Sequence, residues 1–179
     1  DVHGFVVPLV QVLMSQRTIG HYRQCFQRVK QAVRRTSHHN WRPQRVICDF
    51  ELALHTSIET ELPHARLSGC YFHYTQSIWR RVQELRLAVP YRQDHHLTKV
   101  IKKILAIGYL PHALVQMNFN VLVTDRRTRR LVNQYPALDE FLAYVRSTYI
   151  SQQLAPFPPE LWNAFERDMD QRTNNRVEG

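Results

Sequence analysis

Apolar positions run almost unbroken over residues 5–14 (FVVPLVQVLM), rich in β-branched side chains, and this predicts a strand. Pro8 removes one backbone donor, which suits an edge position or a bulge. Thr18 then supplies a helix cap. Tyr22, Phe26, Val29 and Val33 recur at helical steps, one face of an amphipathic helix over residues 19–34 with Cys25 packing beside it. A polar stretch, 36–43, separates this helix from a short apolar strand at 45–48. A helix follows over 51–62, stopped by Pro63, and a strand over 66–70. The order β-α-β-α-β predicts an α/β fold with a largely parallel portion.

Beyond Phe72 the pattern changes to helical spacing and stays so to about residue 167. One stripe comprises Ile78, Val82, Leu85 and Val89, and a second Val100, Ile104 and Ile107, ending near Gly108. Pro111, Pro136 and Pro159 each stand where a helix can open. They would carry Leu114, Val115 and Leu122, then Leu138, Phe141, Leu142 and Val145, then Leu161, Trp162 and Phe165. No internal repeat or low-complexity tract is visible. The expected organisation is an α/β part over 1–71, a helical part over 72–167, and a return to the first part over 168–179.

The chain has 179 residues, 44% of them hydrophobic, which excludes a wholly disordered polypeptide. No apolar run reaches the ~18 residues of a membrane-spanning helix, so no membrane partner is expected. No signal-peptide pattern opens the chain, and the strand that does open it suggests a slice of a longer protein. Cys25, Cys48 and Cys70 are too few for a disulfide framework and fit a reducing compartment, cytosol or nucleus. Lys and Arg outnumber Asp and Glu by 24 to 15, a net charge of +9, which suggests a polyanionic partner, nucleic acid before others.

Asp49 stands at the C-terminal end of a buried-type strand, where open α/β sheets place ligands. It reads either as a ligating carboxylate or as the N-cap of the next helix. Glu178 lies in a second polar motif, RTNNRVEG (172–179). Two carboxylates far apart in sequence can converge on divalent cations for phosphoryl transfer, and Mg²⁺ suits such a site. Cys70 and His73 form C-x-x-H, with Gln76 one helical turn on. A zinc site would need two further ligands from His38, His39, His95 or His96, so zinc is not the expected metal. The alternatives are a buried Cys with a helix-opening His, or a polar, substrate-facing His73. Arg126, Arg127, Arg129 and Arg130 form a basic knot read as lying between two helices. Arg80, Arg81, Lys99, Lys102 and Lys103 lie on helices. All could contact phosphates, or form a solvated face. Trp79 and Trp162 suit a helical core better than a base-stacking platform.

Taken together, these segments resemble a known family. GCYFHYTQSIWRRVQELRL (69–87) looks like the central signature of Mutator-like (MULE) transposase domains. VICDFELA (46–53), FVVPLVQVLMSQRT (5–18), FPPELWN (157–163) and RTNNRVEG (172–179) extend the likeness in the family's order. The resemblance implies a ribonuclease H-like α/β core, interrupted by a large all-α insertion before its last acidic residue. The family uses an Asp-Asp-Glu triad with two Mg²⁺ or Mn²⁺ ions. Asp49 matches the second Asp and Glu178 the Glu, both as catalytic residues and as metal ligands. The first Asp, on a strand upstream of residues 1–14, has no counterpart here. Cys70, His73 and Gln76 match a motif thought to organise DNA near the scissile phosphate. The implied activity is DNA strand cleavage followed by attack of a freed 3′-hydroxyl on target DNA, that is, cut-and-paste transposition. The chain itself would be inactive without the first Asp. The partners would be double-stranded DNA, as transposon ends and target, and further copies of the full-length parent in a homo-oligomer. The location would be the nucleus. The alternative is a domesticated, inactive descendant that binds DNA or proteins.

Overall fold

A computed structural model describes residues 9–151 and 154–167. They form two compact units, one within residues 9–70 and one beginning at Tyr71. Helices dominate, and the sheet is small.

In the first unit, α1 (Ile19–Ser37) begins where the Thr18 hydroxyl accepts from the His21 amide at 3.4 Å. It ends where His38 turns left-handed (φ 57°) and returns its N–H to the Arg34 carbonyl. Its stripe of Tyr22, Phe26, Val29 and Val33 is half-buried. β1 (Arg45–Cys48) leads through α2 (Leu52–Glu61) to β2 (Arg66–Gly69). The two strands pair in parallel, Arg45 opposite Arg66 and Cys48 opposite Gly69. A helical crossover between them is what parallel pairing requires, since no hairpin can join parallel neighbours. Cys48, Ile58 and Leu62 form the buried core, with Phe26, Trp41, Val46 and Leu67 packed on it. Ser57, wholly buried, ties α2 to the start of α1 by donating to the Ile19 carbonyl at 3.1 Å.

One expected element differs. Residues 9–14, the described part of the strand expected over 5–14, are not strand. Residues 9–13 are open to solvent, with Leu9 88% and Leu13 fully exposed, and Met14 is half-buried. A strand is held by a neighbour's ladder of N–H and C=O groups, and among the described residues β1 and β2 pair only with each other.

Among its described residues the regular elements of the second unit are all helical: α3 (Tyr71–Glu84), α4 (Ala88–Gln93), α5 (His95–Ala106), α6 (His112–Thr124), α7 (Arg126–Gln134), α8 (Ala137–Val145) and α9 (Pro159–Trp162). A 3₁₀ turn (Ile107–Tyr109) and a π-helical turn (Arg146–Ile150) interrupt the series. The core is aromatic. Trp162 stacks on Tyr74 at 4.4 Å and donates its indole N–H to the Tyr149 and Phe157 carbonyls, both at 3.1 Å. Tyr74 and Tyr71 donate to the Ile104 and Leu105 carbonyls at 3.0 and 2.5 Å, so buried hydroxyls find partners. Gly108 lies against this cluster: a Cβ there would come within 2.7 Å of the Tyr71 ring.

Several helical details depart from the sequence pattern. The stripe ending in Leu85 and Val89 breaks after Val82, because Arg86 turns left-handed (φ 57°) and α3 stops. Leu87 then takes the buried position and Val89 is left exposed. In α6 the core positions are Val115, Phe119 and Leu122, while Leu114 faces solvent. Phe165 lies beyond the end of α9 and is half exposed. The basic knot is itself a helix, α7, not a connection between helices. Asp125 caps it by accepting from the Arg127 and Thr128 amides at 2.9 and 3.3 Å, while Thr128 and Leu131 turn inward.

Candidate active site

Asp49 directly follows the last residue of β1, and its side chain is exposed. The N-cap of α2 is Glu51, so Asp49 does not cap that helix. Around it the backbone is held by a buried histidine. His55, on α2, donates from Nε2 to the Asp49 carbonyl at 2.6 Å. A carbonyl can only accept, so this contact selects the tautomer with the proton on Nε2. Burial lowers the His55 pKa, outweighing the Asp49 carbonyl and the nearby Glu59, Asp49 and Glu51 carboxylates, which raise it. The imidazole therefore stays neutral at neutral pH and acts as a fixed donor.

Glu51 is positioned from α1. Tyr22 donates its hydroxyl to Glu51 Oε2 at 2.8 Å. Burial, then that hydrogen bond and the Glu51 charge, push the Tyr22 phenol up to about 12. Cys48, on the strand, is pushed to about 12 by burial, then by the Asp49 charge and Cys70, so its thiol stays protonated. The turn after β1 thus presents an exposed carboxylate on a backbone fixed from two helices. His55, Glu51 and Tyr22 were passed over in the sequence. Their only signal is that Glu51 and His55 follow Asp49 closely, and Tyr22 looks like any apolar stripe position.

Cys70 extends the parallel ladder by one rung, its amide donating to the Cys48 carbonyl at 2.8 Å. Its side chain is fully buried. His73 sits in the first turn of α3, half-buried and edge-on to Phe72 at 5.5 Å, and Gln76 is exposed one turn later. Among the described residues no three His, Cys, Asp or Glu side chains gather as a metal site. Glu178 lies outside the described residues, so its distance to Asp49 is not part of this geometry. The chemistry of Asp49 suits a hard divalent cation, since Mg²⁺ takes one or two carboxylates and keeps most of its waters. An exposed carboxylate can meet that need without a large desolvation cost.

The basic residues divide. Arg81 is engaged inside the second unit, with Glu84 at 3.1 Å, Glu140 at 2.5 Å and the Tyr144 ring at 5.3 Å. Arg80, Arg126, Arg127, Arg129 and Arg130 are exposed. A small cleft of about 60 Å³ brings Arg127 of α7 together with His96, Lys99 and Lys103 of α5, around the capping carboxylate Asp125. Trp162 is wholly buried, and Trp79 is half-buried with its edge on Tyr91 at 5.0 Å.

The first unit is a βαβ element whose acidic residue follows the C-terminal end of a parallel strand, the arrangement of α/β proteins that act at strand ends. Residues 1–77 match the family model of the MULE transposase domain. The resemblance read from the sequence is therefore shown over that stretch, 77 of the chain's 179 residues. Comparison with curated proteins and with solved structures gave no match.

Proposed function

We propose that this chain carries part of the catalytic core of a DNA transposase of the DDE type. The core is ribonuclease H-like, residues 72–167 are a helical insertion in it, and residues 168–179 return to it. The observation that supports this most directly is the placement of Asp49, exposed after β1 within the stretch that matches the MULE family model. Asp49 and Glu178 would hold two Mg²⁺ or Mn²⁺ ions, which supply activation of the attacking oxygen and stabilisation of the leaving one. The chain's own residues supply the rest. His55 and Tyr22 hold the turn that presents Asp49, and phosphoryl transfer depends chiefly on such positioning. The exposed face of α7, with Lys99 and Lys103 of α5, contacts DNA phosphates without reading sequence. Cys70, His73 and Gln76 organise the strand near the scissile phosphate. The location is the nucleus, and transposition engages a homo-oligomer.

Mn²⁺ titration followed by NMR tests the metal assignment on this chain. Paramagnetic broadening should centre on residues 48–51 and vanish in Asp49→Asn. In a protein carrying the complete acidic set, Asp49→Ala should abolish cleavage while DNA binding persists. Wild-type cleavage by that variant would remove Asp49 from the mechanism.

A further inference from the structure

At the other end of the same two strands the first unit carries a cavity of about 390 Å³. Its walls are the last turns of α1, residues 40–43 leading into β1, and residues 61–65 leading into β2. Both strands run away from it towards their C-terminal ends, and Asp49 follows one of those ends. The cavity is thus separated from Asp49 by the length of β1, about 3.3 Å per residue. Its volume falls in the range of small-molecule pockets, roughly 300–1,000 Å³.

The lining combines two chemistries. Lys30 also faces the cavity, but its charge is spent on Glu61, through Oε2 at 3.0 Å and the backbone carbonyl. Arg34 and Arg42 are exposed, and neither has an ion-pair partner among the described residues. The cavity therefore keeps two uncompensated guanidinium groups beside one neutralised Lys–Glu pair. Trp41 supplies a flat apolar wall, half-buried and stacked on Phe26 with centroids 6.4 Å apart and planes 26° from parallel. Asn40 adds an amide that can both donate and accept.

We propose that this cavity binds a nucleotide, its base against Trp41 and its phosphate on Arg34 and Arg42. An inorganic anion would use the arginines and leave the indole idle, and an apolar ligand would do the reverse. A phosphorylated aromatic heterocycle uses both, because indoles stack on any base and guanidinium groups bind phosphate in pairs of hydrogen bonds. The same chemistry is presented by a free mononucleotide and by one nucleotide of a single strand. The assignment stands apart from the catalytic reading of Asp49.

The test uses this chain with three probes: AMP, a short oligo(dT) and inorganic phosphate. NMR follows the Trp41 indole and the Arg34 and Arg42 side chains. AMP or the oligonucleotide should shift these signals. The double variant Arg34→Gln/Arg42→Gln should weaken binding about tenfold or more, since it removes both charged donors to the phosphate. Both arginines are exposed, so its melting temperature should stay at the wild-type value. Trp41→Leu should also weaken binding, and Trp41→Phe, which keeps an aromatic wall against Phe26, should restore part of it. Asp49→Asn should leave binding unchanged. AMP binding as tightly as the oligonucleotide identifies a free nucleotide as the ligand. Binding of the oligonucleotide alone, lost in the arginine variant, identifies a strand. Binding that the arginine variant leaves intact overturns the proposal, as does inorganic phosphate matching AMP in affinity.

Discussion

Protonating or neutralising Glu61 should loosen α1 from α2. This carboxylate ends α2, where the negative pole of the helix dipole makes an acidic side chain unfavourable. Three side chains spaced along one face of α1 offset that: Arg23 at 2.9 Å, Gln27 at 2.8 Å and Lys30 at 3.0 Å. Burial pushes the Glu61 pKa up, its side chain being only 8% exposed, but the hydrogen bonds from Arg23, Lys30 and Gln27 and the Lys30 charge win and bring it to about 2. Measured from an ordinary 4.5, the full displacement corresponds to ~3 kcal/mol of pH-linked stability. Arg23 and Lys30 are 45% and 34% exposed, so screening by water reduces the realised part to about 1–2 kcal/mol. The folded pKa lies below the unfolded one. The contribution is therefore complete above the unfolded pKa and is lost as pH falls from there towards 2. Urea unfolding of the wild type and Glu61→Gln at pH 7 and at pH 3 measures it. The variant should be less stable at pH 7, by about 1–2 kcal/mol, and the gap should shrink at pH 3. A gap of equal size at both pH values would refute the reasoning, because it would place the effect in packing and not in charge.

Two further substitutions probe the second unit. Gly108→Ala puts a Cβ at 2.7 Å from a Tyr71 ring carbon and 3.2 Å from Trp162, and Tyr71 is anchored by its hydroxyl to Leu105. It should cost about 1–3 kcal/mol in thermal or urea unfolding, and a neutral result would mean that the aromatic cluster yields easily. Asp125→Ala removes the cap of α7, and four exposed arginines in that helix then repel one another without a carboxylate at its start. Amide exchange should speed up in α7 by the equivalent of ~1 kcal/mol while α5 is little changed, and uniform acceleration would argue against a local cap effect.

Much of the local architecture was legible in the chain. β1 runs over the expected residues, and α2 and β2 fall within a residue of them, because proline, polar caps and period changes mark their ends. Thr18 caps α1 as expected, although the helix runs on to Ser37, since nothing before the left-handed His38 forces it to stop. The stripe of Leu138, Phe141, Leu142 and Val145 is buried throughout α8. The errors share one cause. A hydrophobic pattern reports what could be buried, not what meets it. Residues 9–14 have strand composition but no described partner strand, and Leu87 displaced Val89 because Arg86 turned the backbone. The arginine-rich 126–130 segment looked like a linker, since four like charges mask the inward Thr128 and Leu131.

The candidate site divides along the same line. Asp49, Cys70 and His73 could be singled out from sequence, because a strand-end acid and a C-x-x-H spacing are local patterns, as is the likeness that the family model bears out over residues 1–77. Tertiary structure alone decided that Asp49 is exposed and does not cap α2. It also decided that His55 fixes the Asp49 carbonyl, that Tyr22 reaches Glu51 across 29 positions, and that Arg34, Trp41 and Arg42 share a cavity. A linear pattern encodes the period of each element. Contacts between elements arise only once packing sets which side chains face one another, and no local spacing carries that information.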